Sequence, residues 1–307
     1  MPRFLLRRLI GALITLWVVI TASFFMMRAA PGGPFDSDRR LPPEIRRNVE
    51  AKFHLDEPLF TQYARYLSEA VRGDFGPSLK YRDKRVIDIL VENYPVSLRL
   101  GLTAIIIATA AGGCLGVLAA LRQNRPIDSL TVGIAAAGVS IPSFVTGPLL
   151  QWLFGSTLGI LPIAGWDGGA AENMILPVVV LALPQIAVIA RLTRAGMIEA
   201  LRSNYVRTAR AKGLSEARIV ARHALRAGVL PLISYLGPAC AGLLTGSLVV
   251  ERIFNLPGLG KFFVVSALQR DYPVVMAMVI VYASLILILN LAADLVQATL
   301  DPQARAW

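Results

Sequence analysis

Few residues of this 307-residue chain are of types that do chemistry, and their spacing gives none of them a catalytic role. His54 and His223 are separated by three long uncharged intervals, and no nucleophile, base and orienting group converge in sequence around either. Each reads as a surface histidine. Cys114 and Cys240 fall inside uncharged intervals, where cysteine packs as a small hydrophobe, and no paired spacing suggests a disulfide or a metal site. Gly260-Lys261 has the ending of a phosphate-binding loop, but the first glycine is missing and Phe262 replaces the Ser or Thr that would reach magnesium. These residues argue against an integral-membrane enzyme and against nucleotide binding by this chain.

One polar interval stands apart by charge. Arg191 to Pro231 holds nine Arg or Lys residues and two acids, Glu199 and Glu216, so nine minus two gives +7 of the formal net charge of +11. Its local chemistry predicts two short helices: Tyr205 to Lys212 is helix-permissive, Gly213 can take the left-handed stop, and Ser215 can cap the second helix. The turn would expose Thr208, Ala209 and Ala211, small side chains that let another protein approach the backbone, flanked by Arg207, Arg210 and Lys212. Composition supports two readings equally, a docking surface for a partner protein and a cationic loop that only fixes membrane topology.

The elements that must position this interval are membrane helices. Hydrophobic residues make up 55% of the chain and the mean hydropathy is +0.59, far too apolar for an ordinary soluble protein. Six uncharged intervals, 9–27, 100–121, 129–166, 173–190, 227–250 and 272–293, can each supply the roughly 20 apolar residues that cross the hydrocarbon. The expected fold class is an all-α polytopic membrane protein with six transmembrane helices. Arg3, Arg7 and Arg8 hold the N-terminus in the cytoplasm, six crossings return the C-terminus there, and 122–128 and 191–228 lie on the same side. The first interval is long for a signal peptide, and Arg28 precedes a cut at Ala30 where a small residue is wanted, so an uncleaved helix is expected. The basic excess sits at membrane edges, which argues against nucleic acid as a partner despite a pI near 10.2.

The chain divides into 1–30, the cytoplasmic N-terminus and first helix; 31–95, an extracytoplasmic helical region; 96–298, a five-helix core with the cytoplasmic loop 193–228; and 299–307, a cytoplasmic tail. Between Arg28 and Arg99 lie 13 basic and 11 acidic residues, a near-neutral balance in a loop long enough to escape the positive-inside rule. Pro43 to Phe53 and Pro58 to Arg72 each open on a proline suited to a first helical position. In the second, Leu59, Tyr63, Tyr66, Leu67 and Ala70 repeat at helical spacing and Gly73 supplies a stop.

Interval 129–166 is too long for one crossing and predicts a span from about Leu130 to Phe154, bent at Pro142 and Pro148, followed by an external re-entrant or surface element. Irregular backbone at membrane depth must lie against protein or a water-filled cavity. Ser140, Pro142 and Phe144 are therefore candidates for a pathway wall, with an ordinary proline kink as the other reading. Thr245, Ser247 and Glu251, which lead into a Pro257, Gly258 and Gly260 turn at the outer membrane edge, complete the candidate pathway or gate. No acid, base or histidine falls within the expected spans before Asp294, which argues against proton-coupled secondary transport, although backbone sodium sites stay compatible.

The stretch YVRTARAKGLSEARIVARHALRAGVLP resembles the ATPase-coupling loop of ABC importer permeases in its peptide-transporter form. The general pattern is Glu-Ala-Ala, three variable residues and Gly. Anchored on Gly213, its first three positions fall on Arg207, Thr208 and Ala209, so that only Ala209 and Gly213 keep it. The segments SFFMMRAAPG, AKFHLDEPLFTQYARYL, GDFGPSLKYRD, TGSLVVERIFNLPGLG, RDYPVV and DPQAR extend the likeness over the full length, nearest to the B-subunit family of oligopeptide permeases. The resemblance implies a type I ABC importer permease of the bacterial inner membrane, with Tyr205, Arg207, Thr208, Ala209, Arg210, Ala211, Lys212 and Gly213 as its ATPase-coupling residues. It further implies a heterodimer with a homologous permease, two ABC ATPase subunits that bind ATP and magnesium, an extracytoplasmic peptide-binding protein, and no cofactor on this chain. A dipeptide, glutathione or chelated-nickel permease of the same family is the alternative.

Overall fold

The structure, a computed structural model, describes residues 2–30, 54, 56–81 and 83–300. Among them the backbone is helical, with one isolated bridge between Pro77 and Arg85. The expected helix at Pro43 to Phe53 lies outside the described residues. In chain order the elements are α1 (Pro2–Ala29), α2 (Leu59–Val71), α3 (Val86–Leu121), α4 (Pro126–Ser140) and α5 (Ser143–Leu150), which continues as a π-helical turn over Gln151–Thr157. Then come α6 (Ala171–Arg202), α7 (Asn204–Ala211) and α8, a run of short pieces from Glu216 to Gly228. The last are α9 (Leu230–Leu244), α10 (Leu248–Ile253), α11 (Leu259–Leu268) and α12 (Tyr272–Leu300).

Five helical stretches are long and apolar enough to cross a membrane, and the α4–α5 pair makes a sixth if its two limbs count as one span. The bend expected at Pro142 is there, and it reaches 100°. A proline cannot supply the amide hydrogen that would carry the helix through, and the residue before it is pushed out of the helical region. Ile141 accordingly has ψ 115°. Pro148, by contrast, stays inside α5. Two further differences matter. Helix α3 starts at Val86, well before the uncharged interval at 100, and its first turns bury Val86, Ile89 and Leu90 against Leu259, Val274 and Met278. The fifth span, expected over about 230–250, is found over Leu230–Ile253, with a turn between α9 and α10 where Gly246 takes φ 94°.

The centre of the bundle is α3 against α6. Gly112 and Gly116 of α3 lie so near α6 that an added Cβ would stand 2.8 Å from the Ile186 carbonyl oxygen and 2.6 Å from that of Ala190. Association of helices in lipid depends on such close backbone approach, because apolar side chains gain little by leaving hydrocarbon for protein. The core around them includes Leu100, Ala104, Ala108, Val180 and Ile189, and Leu243 of α9 joins it. Helix α2 lies on the side of the bundle through Tyr63, Tyr66 and Leu67, which meet Ile20 and Phe24 of α1 and Met276 of α12. Leu59, expected on that face, is exposed, and Gly73 supplies the stop with φ 74°.

Polar bonds mark the two ends. At one, Arg8 pairs with Asp294 at 3.1 Å, the Ser234 hydroxyl donates to Gln297 at 3.0 Å, and Arg202 donates to Gln123 at 3.1 Å. At the other, buried Asp271 precedes α12 and accepts from the Ser78 hydroxyl and, at 3.1 Å, from the Leu79 N–H. That carboxylate ties the segment before α3 to the start of the last span.

Candidate functional site

The charged interval folds into a small helical knob at the first of these ends. Helix α7 is amphipathic over two turns: Val206 and Ala209 are buried against Met197, Ala200, Ile219 and Ala224, while Tyr205, Arg207, Thr208, Arg210, Ala211, Lys212 and Gly213 are exposed. Ala209 thus departs from the expectation of an exposed small side chain, since the helical phase that shows Thr208 outward turns its neighbour into the knob's own core. At the end of α7 the Gly213 N–H donates to Arg210 O at 2.9 Å and the Leu214 N–H to Ala209 O at 3.3 Å, with Gly213 at φ 77°. This is the Schellman closure, which satisfies the last carbonyls of a helix and requires a left-handed residue. Ser215 occupies the expected cap position of the next helix, yet its side chain makes no cap hydrogen bond. The turn is instead bridged by Arg210, whose Nε and Nη2 donate to the two Glu216 oxygens at 2.7 and 3.1 Å. Those hydrogen bonds hold the Glu216 carboxyl below its ordinary range.

The knob is held to the bundle through α6. Arg194 donates from Nε and Nη2 to both oxygens of Asp128 at the start of α4, and the Asn124 N–H donates to the same carboxylate at 2.9 Å. Asp128 is only 3% exposed. Replacing Arg194 with Met is expected to lower stability by about 3 kcal/mol, because a buried carboxylate loses its countercharge. Thermal unfolding of the purified chain in detergent measures this, and adding Asp128→Asn should restore part of the loss. An Arg194→Met melting point equal to wild type would contradict this role for the pair.

At the opposite end the two interrupted spans meet. Gly147 of α5 faces Ile253 and Phe254, and Gln151 donates from Nε2 to Ile163 O at 2.7 Å and Ile253 O at 3.1 Å. The segment between α5 and α6, expected as a re-entrant or surface element, is pinned there by the Gly165 N–H donating to Phe254 O at 2.9 Å. Ser140, Pro142 and Phe144 sit at the 100° break with exposed side chains, Phe144 at 62%. The other three candidates point inward. Thr245 is buried and its hydroxyl donates to Gly242 O at 3.1 Å, and Ser247 Oγ accepts the Val250 N–H as the cap of α10.

Glu251 departs most from expectation. Expected as an acid at the outer membrane edge and a candidate for the pathway or gate, it is 1% exposed. Its Oε1 accepts from the Ser97 hydroxyl at 2.7 Å and its Oε2 from the Lys261 N–H at 3.0 Å, while Ser97 Oγ accepts the Leu259 N–H at 2.9 Å. One carboxylate therefore joins α3, α10 and the Pro257–Lys261 turn. A Cβ at Gly258 would lie 2.5 Å from each carboxylate oxygen, so the turn closes over the acid only because that position has no side chain. Among the described residues no cation pairs with Glu251, and hydrogen bonds carry its whole stabilisation.

The candidate residues thus form two groups at opposite ends, joined by α6 and by the α9–α10 span. Sequence reasoning missed the partners Ser97, Lys261, Asp128 and Arg194, and also the Tyr235 hydroxyl donating to Gln185 at 2.6 Å between α9 and α6.

Comparison with known proteins places this arrangement. Residues 112–306 match the sequence family described as the inner membrane component of binding-protein-dependent transport systems, and residues 1–101 match its N-terminal companion. The chain is 51% identical over 305 residues to the oligopeptide transport system permease protein OppB of Salmonella typhimurium, covering 99% of this chain and 100% of that protein. It is 43% identical to the dipeptide transport system permease protein DppB of Bacillus subtilis, covering 99% and 98%. Among solved structures, an amino acid ABC transporter crystallised with histidines superposes with a TM-score of 0.55 at 17% identity, over 69% of this chain and 94% of that one. The MetNI methionine ABC transporter in its inward-facing form gives 0.55 at 17% identity, over 70% and 97%. With family matches over both parts of its length and interrupted apolar spans around a helical knob, this multi-pass protein of the bacterial inner membrane belongs to the binding-protein-dependent transport system inner membrane components.

Proposed function

We propose that the chain is one permease of a heterodimeric ATP-driven importer whose cargo is oligopeptides, with the α7 knob as the contact for an ABC ATPase. The observation that carries the cargo is the end-to-end 51% identity to an oligopeptide permease, above the 43% to a dipeptide permease. A homologous permease supplies the other half of the pathway, two ATPase subunits bind ATP and magnesium, and an extracytoplasmic binding protein delivers the peptide. Tyr205, Arg207, Thr208, Arg210, Ala211, Lys212 and Gly213 form the coupling surface, and Ala209 supports it from beneath. Movement of the knob reaches the far end along α6 and along α9 into the α10 break. Uptake in a strain lacking the gene tests the cargo: restored uptake of tri- to pentapeptides supports oligopeptides, whereas rescue of dipeptides, glutathione or chelated nickel alone overturns it. Co-purification identifies the binding protein.

The sidedness is set by charge. An impermeant thiol reagent applied to intact cells should label single cysteines introduced between Asp36 and Glu92 and spare those between Thr193 and Arg226. The reverse pattern would overturn the orientation.

A further inference from the structure

We infer that the cavity enclosed by α1, α2 and the start of α12 binds the phosphodiester of a membrane phospholipid, with Arg28 as its principal contact. The cavity measures about 380 Å³, and Phe24, Arg28, Tyr66 and Tyr272 are among its lining residues. The Arg28 guanidinium lies over the rings of Phe24 and Tyr272, 5.4 and 5.6 Å from their centroids. No carboxylate pairs with it among the described residues. The other arginines of the lining are matched, Arg65 by Glu57 at 2.6 Å and Arg85 by Asp74 at 2.9 Å. The Tyr66 hydroxyl is buried in the same wall without a hydrogen-bond partner among the described residues. A forked cation and a hydroxyl donor therefore line one cavity, and among the described residues neither has a hydrogen-bond acceptor assigned to it, which is costly for a buried polar group such as the Tyr66 hydroxyl. Two non-bridging phosphate oxygens fit that donor set, because the planar guanidinium donates in parallel to such a pair.

Two observations point to lipid rather than to a free anion. Arg28 belongs to the last turn of α1, and along that helix Leu13, Trp17 and Met26 are 66%, 53% and 73% exposed, an outward apolar face on which acyl chains can lie. A cation where such an apolar face ends is suited to headgroup depth. The charge count also favours a monoanion. Glu69, an exposed acid of the same lining with no ion-pair partner among the described residues, repels a dianion such as inorganic phosphate more than a monoanionic phosphodiester.

The test is native mass spectrometry of the assembled importer, delipidated in detergent and then titrated with phosphatidylglycerol or with inorganic phosphate. The wild-type complex should retain one phospholipid more than Arg28→Gln, with retention at least about tenfold weaker in the variant, as loss of charge-assisted hydrogen bonds requires. Inorganic phosphate should not displace that lipid. Tyr66→Phe, which removes only a hydroxyl and keeps the packing of α2, should weaken retention by a smaller factor and covers the case in which Arg28→Gln fails to assemble. Equal lipid counts in wild type and Tyr66→Phe together with an equal count in any assembled Arg28→Gln complex would overturn the inference, as would displacement of the lipid by phosphate.

Discussion

Glu251→Ala is expected to abolish uptake, with the largest effect of any single change at the end of the bundle opposite the knob. Truncation removes the acceptor for the Ser97 hydroxyl and for the Lys261 N–H, both inside a space that Gly258 closes. Each buried donor left without a partner costs about 1–3 kcal/mol, so the two together match the local stability of a short turn. The Pro257–Lys261 segment then loses its tie to α3, and the break between α9 and α10 loses the contact that orients it. Glu251→Gln is the informative companion. It keeps the shape and one acceptor, but its amide hydrogens face a second donor, so uptake should fall without reaching zero. Ser97→Ala, which removes one member of the network and leaves the carboxylate its Lys261 contact, should be milder than Glu251→Ala. Uptake is scored at equal membrane abundance, and full activity of Glu251→Ala would show that the buried carboxylate does not hold the mouth of the pathway together.

The features legible in the sequence are those set by short-range interactions. The apolar intervals and the left-handed stop at Gly213 are local properties, carried by hydropathy and by one residue's backbone freedom; the stop is there, and five intervals give spanning helices, six if the bent α4–α5 pair counts as one. The bend at Pro142 is legible as a position, because the missing amide hydrogen is local. Its size of 100° is not, because packing of α5 on Ile253 and Phe254 sets it. The break at Gly246 leaves only a Thr-Gly-Ser signal in an otherwise apolar run, too weak to interrupt a span of ordinary length. Glu251 reads as a membrane-edge acid since its partner Ser97 lies 154 residues away. Nothing in the spacing of either residue reveals that they meet. The burial of Ala209 was within reach: Val206 and Ala209 are three apart, and a two-turn helix on a surface must turn one such pair inward.

Gly213→Val is expected to uncouple transport while the spans insert normally. With φ at 77° this residue sits where an L side chain is strained by about 1–2 kcal/mol, and a β-branched one by at least that. Yet no atom lies within 4 Å of an added Cβ, so the strain is in the backbone alone and not in a collision with neighbours. That separation yields a sharp control. Asparagine tolerates the left-handed region, so Gly213→Asn should retain most of the activity even though it adds more polar bulk than alanine. Valine instead relaxes out of that region, breaks the hydrogen bonds from Gly213 and Leu214 back to Arg210 and Ala209, and swings α8 relative to α7. The Arg210–Glu216 bridge across the turn is exposed at both ends and is worth too little to hold the geometry by itself. Because the knob stands outside the apolar spans, insertion depends on those spans and should survive. The readouts are peptide uptake and co-purification of the ATPase at equal abundance of the chain in the membrane. Loss of both in Gly213→Val with retention in Gly213→Asn supports a docking turn whose backbone path matters. Wild-type values in Gly213→Val would leave the knob as a cationic determinant of topology and nothing more.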